Sequence, residues 1–292
     1  MTTLTFSDKF IAYVDILGFT KLVENCEKGV GLSLNELLRL IRDLGNRDDV
    51  EAIAEDGLSV CPDSERLDRD AGFRLTQISD CVVISTEVSP LGIITLIHQC
   101  LKTTFRLLKK GFLCSGYITR GNIYHTANQF IGTGYVEAYK NADEVTAFKI
   151  MGERNPTPFV EFSPQIVEYV NNETDDRVRK IFSRLTISDG TLTVVSPFDR
   201  LMVETDGRCA ENDIQKINTM RSIIEELKRK VLNFSAGPGD RSFEKTKHYL
   251  QLLDGQIVRL DRLEQWIHQA QGPFGVRATQ DILPGLFRGG DH

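Results

Sequence analysis

The sequence predicts an α+β fold in which helices flank a mixed β-sheet, and three observations carry that prediction. Short runs rich in β-branched and aromatic residues alternate with longer amphipathic runs. Two pairs of the short runs are joined by two-residue turns, so hairpins interrupt what would otherwise be βαβ crossovers. Beyond Asp199 the pattern changes to long helical periodicity. The order up to Phe162 reads β-α-α-β-β-α-β-β-α-β, which excludes a doubly wound nucleotide-binding sheet. With 292 residues, 41% hydrophobic and 26% charged, the chain suits a single large core with an appendage. We assign residues 1–200 to a sheet domain and 201–292 to a C-terminal helical extension.

Each element has its own signal. Phe10 to Val14 is an apolar strand ending at Asp15. Thr20 is placed to cap a short helix carrying Leu22 and Val23. Ser33 and Glu36 form a capping box ahead of a helix whose face is Leu34, Leu37, Leu38, Ile41 and Leu44. Asn46 to Gly72 is polar and reads as a long loop. Phe73–Ile78 and Cys81–Thr86 form a hairpin closed by Ser79-Asp80. Ser89-Pro90 starts a helix that runs through Leu91, Ile94, Ile97, Leu101 and Leu108 and stops at Gly111. Strands Phe112–Thr119 and Asn122–His125 follow, broken at Arg120-Gly121. Gly132 to Gly134 opens a helix reaching about Gly152, and strand Phe159–Phe162 passes through Ser163-Pro164 into a short helix. Leu185–Ser188 and Thr191–Val195 form a second hairpin at Asp189-Gly190. Asn212–Phe234 and Phe243–Gln271 are the paired helices of the extension.

Composition excludes several classes of function. Thirty-five basic against 41 acidic residues give a formal charge of -6, which argues against a DNA- or RNA-binding surface. The longest apolar candidate, Leu91–Leu108, is interrupted by His98, Gln99, Lys102 and Arg106, so membrane insertion is not expected. The N-terminus lacks a signal-peptide pattern, and we expect a cytoplasmic protein. The six cysteines and five histidines are dispersed without zinc-site spacing, so packing thiols are expected.

Two carboxylates stand out. Asp15 closes the first strand and Asp80 sits in the turn of the first hairpin. Acids at the ends of neighbouring strands can hold two Mg²⁺ or Mn²⁺ ions when a nucleoside triphosphate supplies the remaining oxygens. The competing explanation is a pair of solvated strand ends. Between the acids, Leu17-Gly18-Phe19-Thr20 is a tight passage into a helix, where free N–H groups suit a phosphate tail.

FIAYVDILGFTKLV resembles the first metal motif of the class III nucleotidyl cyclases, and LTQISDCVVIS resembles the second, over about Lys9 to Pro164. The resemblance implies a ferredoxin-like sheet core and a homodimer with active sites at the interface. It further implies two Mg²⁺ or Mn²⁺ ions on Asp15, Asp80 and the Ile16 carbonyl, with triphosphate on the Gly18, Phe19 and Thr20 backbone. The ribose 3′-hydroxyl would attack the α-phosphate. Two departures bear on the substrate. The place of the purine-reading Lys is Thr76. Aligned on Gly132 and Ala138, the transition-state Asn and Arg positions fall on Val136 and Lys140.

The combination is more similar to the pyrimidine cyclases of the Pycsar anti-phage systems, which share VDILGF, an SD hairpin, an Arg-Gly (Arg120-Gly121) and a Gly-to-Ala-Tyr stretch (Gly132 to Tyr139). That implies conversion of UTP to cyclic UMP, favoured because uridylate cyclases are the commoner members of that group, or alternatively of CTP to cyclic CMP, as a signal read by a separate effector. A catalytically inactive, nucleotide-binding relative is the other reading, favoured by Val136 and Thr76 and opposed by retention of both acids. Arg120 and Lys140 are candidate catalytic residues, Arg120 through the triphosphate oxygens and in competition with a surface ion pair, Lys140 through base or phosphate contact across the dimer. Arg74, Thr76 and Gln129 are candidates for base or phosphate contact across the dimer, and Tyr13 for narrowing the pocket or simply filling the core.

Overall fold

The computed structural model describes residues 4–45, 71–151, 153, 155–198, 201, 203, 210–234 and 241–270. Most of the polar stretch from Asn46, which the sequence reads as a loop, lies outside the described residues. Strand β1 (Ser7–Ile16) is the spine of the sheet, and both of its faces are covered: Phe10, Ile11, Ala12 and Val14 have no solvent exposure. Double coverage explains why FIAYV reads as a continuous apolar run instead of an alternating one.

Strands β2 (Arg74–Ile78) and β3 (Cys81–Glu87) form the expected hairpin. β4 (Cys114–His125) lies on the other side of β1, followed by β5 (Phe130–Ile131), β6 (Val160–Phe162), β7 (Thr186–Ser188) and β8 (Thr193–Val195). The eight strands make one mixed sheet in the order β2-β3-β1-β4-β6-β8-β7, with β5 paired to the end of β4. β4 and β6 run parallel and the other pairs are antiparallel.

One face of the sheet, through Phe10, Ala12, Val14, Ile16, Val82 and Ile84, packs on five helices. These are α1 (Phe19–Glu27), α2 (Leu34–Leu44), α3 (Pro90–Lys109), α5 (Pro164–Asn171) and α6 (Asp176–Leu185). The opposite face, through Ile11, Tyr13, Val83 and Tyr117, carries α4 (Thr133–Ala142). Helices α7 (Ala210–Phe234) and α8 (Arg241–Ala270) form the C-terminal hairpin, which shares a cluster with Leu108, Leu113, Phe159 and Val194 of the sheet domain. Arg221 clamps the hairpin by donating to Asp261 at 2.8 Å and Glu264 at 2.7 Å. Among the described residues no helix is long and apolar enough to cross a membrane.

Several local readings hold and several do not. The Ser33–Glu36 capping box forms, and Ser89 Oγ accepts from the Gly92 N–H at 3.0 Å with Pro90 in the first turn. Thr20 is not a cap, because α1 begins one residue earlier and Gly18 takes the N-cap place at φ 72°, a conformation that glycine adopts without a Cβ clash. In α2, Leu37, Leu40 and Leu44 are buried, while Leu34 and Leu38 face outward at 63% and 45% exposure. α4 ends at Ala142, well short of Gly152. Helix α6 is an element the sequence reading does not include; Asp175 caps it by accepting from the Arg177 N–H at 2.9 Å.

β4 is not broken at Arg120-Gly121, since those residues pair with Phe10 and Lys9. The glycine serves packing instead. The first turn of α4 lies directly on Gly121, and a Cβ on Gly134 would stand 2.4 Å from Ile11 Cδ1 and 3.0 Å from the Gly121 carbonyl carbon.

Candidate active site

The two acids come together through backbone pairing. Asp15 is in register with Cys81 on β3 and with Ser115 on β4. The β2–β3 turn uses Ser79 at φ 53°, and the Ile16 N–H donates to the Asp80 carbonyl at 3.1 Å, fastening the hairpin tip to the end of β1. The side chains of Asp15 and Asp80 lie within hydrogen-bonding reach of each other, so that a proton on one can be shared with the other. Burial, the Asp80 charge and that shared hydrogen bond push the Asp15 carboxyl up to about 7, against the Ile16 N–H, with Asp143 adding a smaller push.

Around the pair the open face is aromatic. The Tyr13 hydroxyl is held far above its ordinary value, first by burial, then by the Asp15 charge and by hydrogen bonding with the Cys81 thiol. Burial likewise raises Cys81. The Tyr13 ring meets Tyr139 edge-on at 5.4 Å, and Tyr135 meets Phe130 at 4.6 Å. Tyr13 thus joins the acid pair to α4, as its shared strand face with Asp15 predicts.

The end of β4 folds over this face and is fastened by a buried polar chain. Ser85 Oγ lies 2.8 Å from His125 Nδ1, and His125 Nε2 lies 3.1 Å from Thr76 Oγ1. The Thr76 hydroxyl donates to the carbonyls of Thr126 at 3.1 Å and Ala127 at 3.2 Å. Because its one proton points there, it accepts from His125, which assigns Nε2–H to the imidazole and leaves Nδ1 to accept from Ser85. Thr76, a candidate for base or phosphate contact across the dimer, directs its hydroxyl within the chain to this turn. The turn presents Gln129 to a cavity of about 670 Å³, also lined by Phe6, Ile78, Tyr124, Phe130 and Tyr135.

Other sequence candidates fall elsewhere within the chain. Arg120 pairs opposite Phe10, five register positions from Asp15, and its guanidinium forks onto Asp8 at 2.7 and 2.9 Å. Within the chain this is the ion pair that competes with phosphate contact. Arg74 is at the far end of the hairpin from Asp80, opposite Ser85, and donates to the Phe73 carbonyl at 2.6 Å. Lys140 is on the exposed side of α4. Gly18 and Thr20 are exposed at the start of α1, while the Phe19 side chain is buried in the core, so Phe19 offers a ligand its backbone alone.

Sequence reasoning missed three participants. Asp143, the C-cap of α4, lies within the field of Asp15. His125 carries no signal in the sequence beyond that of a strand end. Lys245 on α8 feels both Asp143 and Asp15. None had a local signal, because each is delivered by tertiary docking. No family model matches the chain, and no curated protein matches it.

Proposed function

We propose that the chain is a class III-type pyrimidine nucleotide cyclase that converts UTP to 3′,5′-cyclic UMP and pyrophosphate. The observation that carries the reading is the meeting of Asp15 and Asp80 at a strand end, with ionisation of Asp15 opposed by burial and by its neighbour. Acids held together against their own repulsion are a mark of a functional site. The strand order β2-β3-β1-β4, with helices between β1 and β2 and between β3 and β4, is that of a ferredoxin-like core and supports the same reading.

The donor set fits Mg²⁺ or Mn²⁺. Two carboxylates and the Ile16 carbonyl are hard oxygen ligands, and a sparse set suits ions that complete their shells with phosphate oxygens and water. Among the described residues no group of three or more His, Cys, Asp or Glu side chains could hold a metal ion, so the site depends on substrate oxygens. Two such ions, held by Asp15, Asp80 and the Ile16 carbonyl, would supply activation of the ribose 3′-hydroxyl and charge neutralisation for the pyrophosphate leaving group. The residues of the chain do the rest. Asp15 and Asp80 fix the position of charge, the N–H groups at the start of α1 receive phosphate oxygens, and Tyr13 and Tyr135 restrict the space beside them.

The surface around the 670 Å³ cavity is apolar and exposed, with Leu4 at 73%, Phe6 at 59%, Ile78 at 53% and Ile131 at 62%. In this reading a second copy of the chain covers it, forming the homodimer in which the site is completed. The cyclic nucleotide then signals to a separate effector in anti-phage defence. Cyclic CMP from CTP is the alternative product, since the Gln129 amide offers a donor and an acceptor to either pyrimidine. Incubation of the purified chain with Mn²⁺ and each of the four labelled triphosphates tests the proposal and names the base.

A further inference from the structure

We infer that Ser115 is a further oxygen ligand of the ion held by Asp15 and Asp80, a neutral hydroxyl that completes the protein's share of that ion's shell. The inference rests on the metal reading above and adds a residue that no motif supplies.

The register of the sheet places it. Asp15 pairs with Cys81 on β3 and with Ser115 on β4, so the three side chains form one row across the strand ends, on the face that Tyr13 and Tyr117 line one row further in. Residues directly opposite in an antiparallel pair have Cβ atoms about 4.5 to 5.5 Å apart. Backbone bonds fix the row on both sides. The Leu17 N–H donates to the Leu113 carbonyl at 2.9 Å, and the Gly116 N–H donates to the Phe159 carbonyl at 3.0 Å. A Cβ on Gly116 would stand 2.3 Å from the Tyr13 carbonyl oxygen, so β4 lies closer to β1 here than a larger residue would allow.

What sets Ser115 apart is its hydroxyl. The residue is 6% exposed, and the hydroxyl has no hydrogen-bond partner among the described residues. Buried hydroxyls of Ser and Thr elsewhere on this face are engaged: Ser85 with His125 at 2.8 Å, Thr76 with the Thr126 carbonyl at 3.1 Å and Thr119 with Glu137 at 2.7 Å. On the other side of Asp15 the Cys81 thiol donates to the Ile78 carbonyl at 3.2 Å. A hydroxyl on so buried a residue costs stability when it has no partner. Set beside a metal-binding carboxylate, it gains one when the ion is bound. Mg²⁺ and Mn²⁺ take hard oxygen ligands, and serine hydroxyls serve Mg²⁺ in phosphate-binding loops. A neutral oxygen also extends the shell without adding to the repulsion between Asp15 and Asp80.

The test is titration of the full chain with Mn²⁺ in the absence of nucleotide, read as free Mn²⁺ by electron paramagnetic resonance, for wild type, Ser115→Ala and Asp15→Asn. The expected result is binding weakened about three- to tenfold in Ser115→Ala and lost in Asp15→Asn. In EDTA, Ser115→Ala should melt at or above wild type, because it removes a hydroxyl that has no partner; a clearly lower midpoint makes the hydroxyl structural and overturns the inference. Ser115→Cys, close to serine in volume, carries the test if the alanine variant does not fold, and should bind Mn²⁺ more weakly and Cd²⁺ more tightly than wild type. Equal Mn²⁺ affinity in wild type and Ser115→Ala, or an unchanged metal preference in Ser115→Cys, overturns the role of Ser115; loss of binding in Asp15→Asn then leaves the metal reading standing. No Mn²⁺ binding by wild type overturns both. Mn²⁺ binding that depends on Ser115, without cyclic product from any labelled triphosphate, supports the ligand and rejects the cyclase reading.

Discussion

Asp15→Asn should stabilise the metal-free protein above neutral pH. In the folded chain the Asp15 carboxyl is raised to about 7, against an ordinary value of 3.8. The folded state therefore binds this proton more tightly than the unfolded state does. The stability that follows is fully present below about pH 4 and is lost as pH rises through about 7. A shift of roughly three units at about 1.36 kcal/mol each sets a ceiling of about 4 kcal/mol. Partial exposure of the side chain reduces this to about 2 to 4 kcal/mol at pH 8. Asparagine keeps the hydrogen bond to Asp80 by donating its amide N–H, as the protonated acid would, without the repulsion. At about 2 °C or more per kcal/mol for a chain of this size, the variant should melt at least about 4 °C above wild type at pH 8 in EDTA. At pH 4 the two should be equal. Scanning calorimetry at both pH values, repeated with Mn²⁺, measures this, and Mn²⁺ should raise the wild-type midpoint more than the variant's. A variant that melts at or below wild type at pH 8 without metal would refute the claim that the two acids are held against mutual repulsion.

Two further substitutions test the scaffold. Thr76→Val removes the hydroxyl that joins His125 to the carbonyls of Thr126 and Ala127; urea unfolding should show a loss of about 1 to 3 kcal/mol, with Thr76→Ser recovering most of it. Gly134→Ala places a methyl 2.4 Å from Ile11 Cδ1 and 3.0 Å from the Gly121 backbone; the expected cost is about 1 to 3 kcal/mol, and an unchanged midpoint would show that α4 can slide on β4.

The strands and helices that carry the acids were legible because their signals are local. A continuous apolar run ending in an acid, a two-residue turn and a Ser-Pro helix start each fix their own backbone. The capping box at Ser33 formed for the same reason. What was not legible depends on partners distant in sequence. Arg120-Gly121 resembles a break in isolation, yet β1 pairs straight through it, and Gly121 is small to admit α4. Leu34 and Leu40 are equally apolar, and only the docking of α2 decides which is buried. Thr76 occupies a position from which a base contact is conceivable in sequence terms, but the fold-over of β4 claims its hydroxyl. Lys245 lies 230 residues after Asp15, in a helix whose periodicity announces packing and nothing else.

The central claim is that Asp15 and Asp80 form a two-metal site for nucleotide cyclisation. The most direct measurement is chromatography of products after the purified chain meets Mn²⁺ and each labelled triphosphate, alongside the Asp80→Asn variant. The account predicts 3′,5′-cyclic UMP and pyrophosphate from UTP with wild type, and a loss of at least about a hundredfold in the variant. No cyclic product from any of the four nucleotides, or undiminished turnover without the Asp80 carboxylate, would contradict it.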